Sequence, residues 1–146
     1  MHRFAKGRFG EIPNYENLFH MDLDVGMLVL RLAFGLIFIV HGWPKVKSVK
    51  MTAQHFEAMG FKPGHVWGTA VALLEFVGGV AILLGVLSQP AAISIAAIMI
   101  VALFWKISKG QGLVGGYELD LILLAVAIAI ALMHPGIYSL DAMLAS

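Results

Sequence analysis

Two ionisable side chains, Arg31 and Glu75, stand inside long apolar runs of this sequence. A charged side chain at the centre of a lipid bilayer costs about 2.5 to 3.5 kcal/mol on insertion scales unless it is paired or hydrated. Counted along α-helices from the lysine-rich side, the two residues lie at depths of roughly 18 Å and 14 Å, less than one helical turn apart. An Arg31–Glu75 ion pair is therefore predicted, either as a clamp between helices or as a group that handles protons or anions.

Further polar residues lie near the lysine-rich ends of the apolar runs. Lys45 follows His41 by four residues, so both project from one face of a helix that continues past Pro44. Glu118 and Asp120 open the last apolar run, and their spacing of two lets only one of them face a bundle axis. An imidazole, an ammonium and carboxylates at this depth can exchange protons or hold a small anion. The predicted polar site consists of His41, Lys45, Glu75 and either Glu118 or Asp120.

Each member of this site also has a purely structural interpretation. The acids can cap a helix terminus as solvated carboxylates, and His41 can be a neutral imidazole bonded to a backbone carbonyl. The six histidines lack HxxxH spacing, so no metal site is predicted. With no cysteine in the chain, thiolate chemistry is excluded. No covalently bound cofactor is predicted.

The composition indicates which solvent surrounds these residues. Of 146 residues, 60% are apolar and 13% are charged, and the mean hydropathy is +0.86. Such a chain lacks the charged surface of a soluble domain of its size, so the lipid bilayer is its predicted partner. A net charge of +1 supplies no basic stripe for a phosphate backbone, and nucleic acid binding is excluded.

Four apolar runs are long enough to cross a bilayer as helices of about 20 residues. Pro44 is expected to end the first, and the two-residue link Ser88-Gln89 makes the second and third an antiparallel hairpin. A short amphipathic helix within 48–59 is expected at the membrane surface between the first two spans. The prediction is an all-α, integral membrane, antiparallel four-helix bundle with spans over about 24–43, 66–87, 90–107 and 117–133.

Residues 1–22 form a predicted interfacial or docking arm. Aromatic residues lie among charged ones there, and Pro13 is expected to break any long helix. Residues 23–146 form the predicted transmembrane domain, in which Ser139 is expected to cap a short amphipathic tail through Ala145. Three basic residues lie on the side of the termini and six on the side of the longer connections. The positive-inside rule then predicts outward termini and cytoplasmic basic loops in a prokaryotic-type inner membrane that the chain crosses several times.

The polar residues belong to short motifs that follow one another in a defined order. The motifs are Leu30-Arg31-Leu32 with Gly35, His41-Gly42 with Lys45, Glu75-Phe76 with Gly78-Gly79 and Gly85, Glu118, and Gly136 with Ser139-Leu140-Asp141. In order and spacing they resemble the DoxX family of small four-helix membrane proteins over about residues 24–145. By this resemblance, the family's polar motif residues match Arg31, His41, Lys45, Glu75 and Glu118. The resemblance therefore implies a quinone or anion site made of His41, Lys45, Glu75 and Glu118, with quinone as the candidate cofactor. The leader before the first motif is longer than the family's usual start, which suggests a docking partner.

The resemblance implies membrane redox chemistry. The family takes its name from a membrane subunit linked to thiosulfate:quinone oxidoreduction, and other members are similar to partners of thiol-detoxifying or superoxide-detoxifying enzymes. We therefore expect a membrane subunit of a quinone-linked redox system, catalytic or not, with other membrane or peripheral redox subunits as partners. A structural anchoring subunit of a larger complex is the alternative. A small-solute permease ranks last, because four helices leave little room for alternating access.

Overall fold

The computed structural model describes residues 15–145, with side chains from Leu23 onward. The helices in this part of the chain are α1 (Tyr15–Lys47), α2 (Val49–Ala58), α3 (Gly64–Leu84), α4 (Ser88–Ser108), α5 (Glu118–Leu132) and α6 (Leu140–Ala145). Four stretches are apolar and long enough to cross a membrane, and they cover Leu23–Lys47, Gly64–Leu84, Ser88–Ser108 and Leu113–Leu132. The predicted all-α membrane bundle of four spans with a short helix after the first is confirmed.

A narrow core holds the spans together. Its buried side chains come from one face of each helix, mainly Met27, Phe34, Phe38, Ile82, Ile95, Met99, Leu123 and Ile130. The opposite faces expose large apolar side chains, including Leu36, Val77 and Ile122. Exposed apolar faces of this size are unfavourable in water but not in hydrocarbon, where close packing rather than water exclusion holds helices together.

Glycines bring the backbones of α1 and α3 into contact. A Cβ atom at Gly35 would lie 2.7 Å from the carbonyl oxygen of Gly79, and one at Gly42 would lie 2.6 Å from the backbone nitrogen of Phe76. Both distances are too short for any side chain larger than hydrogen, so the small residues allow the close approach. The two contacts also fix which residues of the antiparallel helices lie side by side.

Replacing Gly35 by alanine is expected to lower the free energy of unfolding by about 2 kcal/mol, because the added methyl group must push two packed backbones apart. Gly26→Ala in the same helix is the matched control, since no described atom lies within 4 Å of its added Cβ. The control is expected to stay within about 0.5 kcal/mol of the wild type. Unfolding by SDS in mixed micelles measures both, and equal losses would contradict the close contact.

α1 continues through Pro44 to Lys47, so the predicted end of the first span at Pro44 is wrong. A proline removes one backbone donor, yet membrane helices tolerate this where neighbouring groups satisfy the freed carbonyl. The Ser48 N–H donates to the Pro44 carbonyl at 3.1 Å, so the turn closes beyond the proline. α2 then runs beside the first turns of α3, where a Cβ at Gly68 would lie 3.2 Å from the Ala53 nitrogen.

The chain begins with the predicted docking arm and ends with a short helix. Residues 1–14, the larger part of the predicted docking arm, lie outside the described residues, and residues 15–22 form the first turns of α1. At the other end, the segment after α5 turns back and leads into α6. Ser139 begins this last helix, and its hydroxyl accepts the Ala142 N–H at 3.1 Å, as predicted for a cap.

Candidate functional site

Arg31 and Glu75 do not meet, so the predicted ion pair between them is wrong. The Arg31 side chain is almost fully buried, at 1% exposure. Its Nε donates to the carbonyl of Ile82 at 3.1 Å and its Nη1 to that of Pro135 at 2.6 Å. Its Nη2 donates to Leu83 and Tyr138 at 3.4 and 3.3 Å. Four backbone carbonyls therefore surround the guanidinium.

The register of α1 against α3 explains the error. Because Gly42 lies against Phe76, Glu75 is level with the last turns of α1, whereas Arg31 is level with the end of α3. Ile82 lies seven residues beyond Glu75, which is roughly 10 Å along a helix. The prediction counts Arg31 from a first span that ends at Trp43 and Glu75 from a second span that starts at Val66. Because α1 runs to Lys47 and α3 begins at Gly64, Arg31 lies roughly 6 Å and Glu75 roughly 3 Å deeper than counted, and the two depths differ by more than one helical turn.

Glu75 pairs instead with Lys45, another member of the predicted site. Lys45 Nζ lies 2.7 Å from Oε1 and 2.5 Å from Oε2 of the carboxylate. The Glu75 side chain is 5% exposed and that of Lys45 is 33% exposed. Next in the chain to Glu75, Phe76 packs against Trp43 of α1, with the ring centroids 5.4 Å apart. An ion pair and an aromatic pair therefore both join α1 to α3.

His41 and Glu118 lie elsewhere and match the structural interpretations. The exposed His41 ring donates from Nδ1 to the Ile37 carbonyl of its own helix, at 2.8 Å. Glu118 is exposed, and its Oε1 accepts the Gly115 N–H at 3.1 Å, within the turn that precedes α5. The structure therefore brings together two of the four residues predicted for the quinone or anion site.

Asp120, rather than Glu118, is the acid of α5 that faces the bundle. Its Oδ2 lies 2.6 Å from Nζ of Lys106, and the same Nζ donates to the Gly116 carbonyl at 3.3 Å. The sequence contains a signal for this choice. The buried residues of α5 are Asp120, Leu123, Ala127 and Ile130, which follow the three-to-four spacing of one helix face.

Within the described residues, the ion pairs are these two, one between α1 and α3 and one between α4 and α5. Both lie toward the lysine-rich side of the bundle. An ammonium there can donate to a carbonyl or an anion, and a carboxylate can accept a proton. The Glu75 carboxylate, at 5% exposure, is more buried than that of Asp120, at 12%.

Comparisons with known proteins agree with this architecture. The model of the DoxX family matches residues 26–106. The "Inner membrane protein YqjF" of Escherichia coli (strain K12) is 36% identical over 123 residues, which cover 83% of this chain and 93% of that protein. The "Putative oxidoreductase CatD" of Bacillus subtilis (strain 168) is 30% identical over 120 residues, covering 82% and 87%. No solved structure matches the chain.

Proposed function

This chain belongs to the DoxX family, and we propose that it is a membrane subunit of a quinone-linked redox system. It is a multi-pass inner membrane protein whose apolar helices contact lipid. One relative is named as an oxidoreductase, which supports redox chemistry in the family. In this proposal a partner redox subunit supplies the electrons, and the lysine-rich loops face the cytoplasm with the termini outside.

The observation that carries the proposal is the buried Lys45–Glu75 pair. A lysine ammonium has three N–H donors, and the Glu75 carboxylate accepts from the Lys45 nitrogen through both of its oxygens. A third donor remains, on a side chain that is one-third exposed. This donor suits the carbonyl oxygen of a quinone. The Glu75 carboxyl group can deliver one of the two protons that two-electron reduction takes up when it is protonated, and can accept one during oxidation when it is ionised.

The Trp43–Phe76 aromatic pair between the same two helices also fits a quinone headgroup. The ring of Trp43 packs at 5.4 Å from that of Phe76, and Trp43 is half exposed. A flat ring can stack on the exposed indole. The quinone would supply reversible two-electron chemistry, and the residues of this chain would orient it and move a proton at the Glu75 carboxylate.

A quinone-retention assay tests the proposal. Protein extracted with its native lipids in polymer nanodiscs is expected to retain quinone, measured by solvent extraction and chromatography. The double variant Lys45→Met/Glu75→Leu removes both charges together and is expected to weaken quinone binding about tenfold, because charged hydrogen bonds are lost. The matched control Lys106→Met/Asp120→Leu removes the other ion pair and is expected to retain quinone. Absence of quinone from the wild type, or equal loss from both variants, would refute the proposal.

The alternative is a structural anchoring subunit, and the mutual satisfaction of each ion pair favours it. In that function the two pairs only clamp helices together, and the partner's activity would not depend on them. Isolation of a stoichiometric complex in mild detergent separates the cases. A complex that keeps full activity with Lys45→Met/Glu75→Leu would favour the anchor over the quinone site.

A further inference from the structure

Six lysines lie on the lysine-rich side of the bundle, and four of them have partners. Two are the ion-paired lysines described above. Lys47 and Lys109 each lie over the ring of a tryptophan four residues earlier, at 5.5 and 5.7 Å from the ring centroids. The remaining two, Lys50 and Lys62, have no carboxylate or aromatic partner among the described residues.

These two lysines line the same cavity. It has a volume of about 540 Å³ and lies between α2 and the beginning of α3. Lys50, Gln54 and Glu57 contribute from one face of α2, Lys62 contributes from the segment before α3, and His65 contributes from the first turn of α3. We call this cavity the α2–α3 hollow.

The hollow has an excess of positive charge and hydrogen-bond donors. Glu57 is its one acid, and the Glu57 carboxylate already accepts the Gly64 N–H at 3.0 Å. Two ammonium groups, an amide and an imidazole therefore face the cavity with a single, partly satisfied carboxylate. Such a set of donors is suited to the oxygens of a phosphate group.

The position of the hollow favours a lipid as the source of that phosphate. α3 begins at Gly64, so the hollow lies where a membrane-spanning helix starts. At the same end of the bundle, the Trp105 Nε1–H donates to the Met59 carbonyl at 3.1 Å, and tryptophans are typical of the headgroup level. Two exposed apolar side chains, Met51 and Val66, stand next to the lining residues in the chain and offer a path for acyl chains.

We propose that the α2–α3 hollow binds the phosphate headgroup of an anionic phospholipid in the adjacent leaflet. Basic pockets between membrane helices bind such headgroups elsewhere, and each lysine near an anionic surface strengthens binding about fivefold. Free phosphate shares the headgroup's chemistry, so the test must separate the two sources. The hollow is distinct from the Lys45–Glu75 pair, and the inference does not depend on quinone binding.

The test uses the purified, delipidated full chain and native mass spectrometry. Dioleoyl phosphatidylglycerol is titrated against the wild type, with dioleoyl phosphatidylcholine and inorganic phosphate as separate arms. The variant Lys50→Gln/Lys62→Gln is expected to bind phosphatidylglycerol about 30-fold more weakly. The matched control Lys47→Gln/Lys109→Gln removes the same charge from the same side, at the tryptophan-stacked lysines, and is expected to change binding less than about threefold.

Each other outcome overturns the inference. Equal weakening by both variants would mean that diffuse surface charge, not the hollow, attracts the lipid. Equal binding of phosphatidylglycerol and phosphatidylcholine would remove the preference for an anionic headgroup. Inorganic phosphate that binds through Lys50 and Lys62, without lipid binding, would identify a free-phosphate site instead. All four substituted lysines lie at least partly in solvent, and circular dichroism of both variants verifies that they fold.

Discussion

Replacing Lys45 by methionine is expected to lower the free energy of unfolding by about 3 kcal/mol. Methionine keeps most of the length and the apolar stem of lysine but removes the ammonium. The Glu75 carboxylate, 5% exposed, is then left as an uncompensated charge inside the bundle. The expected loss is at the lower end of the range for a broken buried ion pair, because one-third of the lysine side chain is exposed to solvent. SDS-induced unfolding in mixed micelles, followed by circular dichroism, measures it.

A second substitution separates charge burial from packing. Adding Glu75→Leu to Lys45→Met is expected to return stability to within about 1 kcal/mol of the wild type, because an apolar pair of similar volume replaces the ion pair. Lys50→Met is the matched control, an exposed lysine without an ion-pair partner among the described residues, and is expected to change stability by less than about 0.5 kcal/mol. A double variant as unstable as Lys45→Met alone would show that packing of the lysine stem, not charge, dominates.

The four spans were predictable because the bilayer imposes a length and a composition on any helix that crosses it. The predicted third span, 90–107, lies within the helix Ser88–Ser108, and the predicted second span overlaps Gly64–Leu84. The tight turn between them was also predictable, since two residues cannot join parallel helices. Capping of α6 by Ser139 followed from the preference of serine for that position.

The partner of Glu75 was not predictable, because it depends on how two helices slide against each other. That register follows from backbone contacts at Gly35 and Gly42, and no rule of sequence says which glycine on one helix faces which residue on the next. Part of the error comes from Pro44, because a membrane helix can continue through a proline. α1 runs on to Lys47, which places Arg31 about one turn deeper than the count, and the register set by the glycine contacts accounts for the rest.

The choice between Glu118 and Asp120 was predictable in principle. Asp120 continues the spacing of the buried apolar residues of α5 toward its first turn, while Glu118 does not. The resemblance to the family pointed to Glu118, whereas the helix periodicity points to Asp120 as the side chain that faces the bundle. Where a motif and a periodicity disagree about which side chain faces inward, the periodicity carries the physical constraint of burial.

Arg31 joins three parts of the chain on the side of the termini. Its guanidinium donates to carbonyls at the end of α3 and to carbonyls of the segment between α5 and α6. Two carboxylates connect the same parts of the chain by hydrogen bonds. Asp24 of α1 accepts the Ile137 N–H at 3.2 Å, and Asp141 of α6 accepts the Leu87 N–H at 2.8 Å. The last carbonyls of a helix carry the negative end of its dipole, so they stabilise a buried cation without an ion-pair partner.

Replacing Arg31 by methionine is therefore expected to lower the free energy of unfolding by about 4 kcal/mol, because buried carbonyls lose charged donors that nothing else replaces. Arg31→Lys is expected to lose about 2 kcal/mol, since one ammonium cannot span acceptors that the planar guanidinium reaches together. Hydrogen exchange gives a local test: amides of residues 137–143 are expected to lose protection in both variants, while those of α4 keep it. Wild-type stability for Arg31→Met, or unchanged protection of 137–143, would show that the C-terminal segment is held by other contacts.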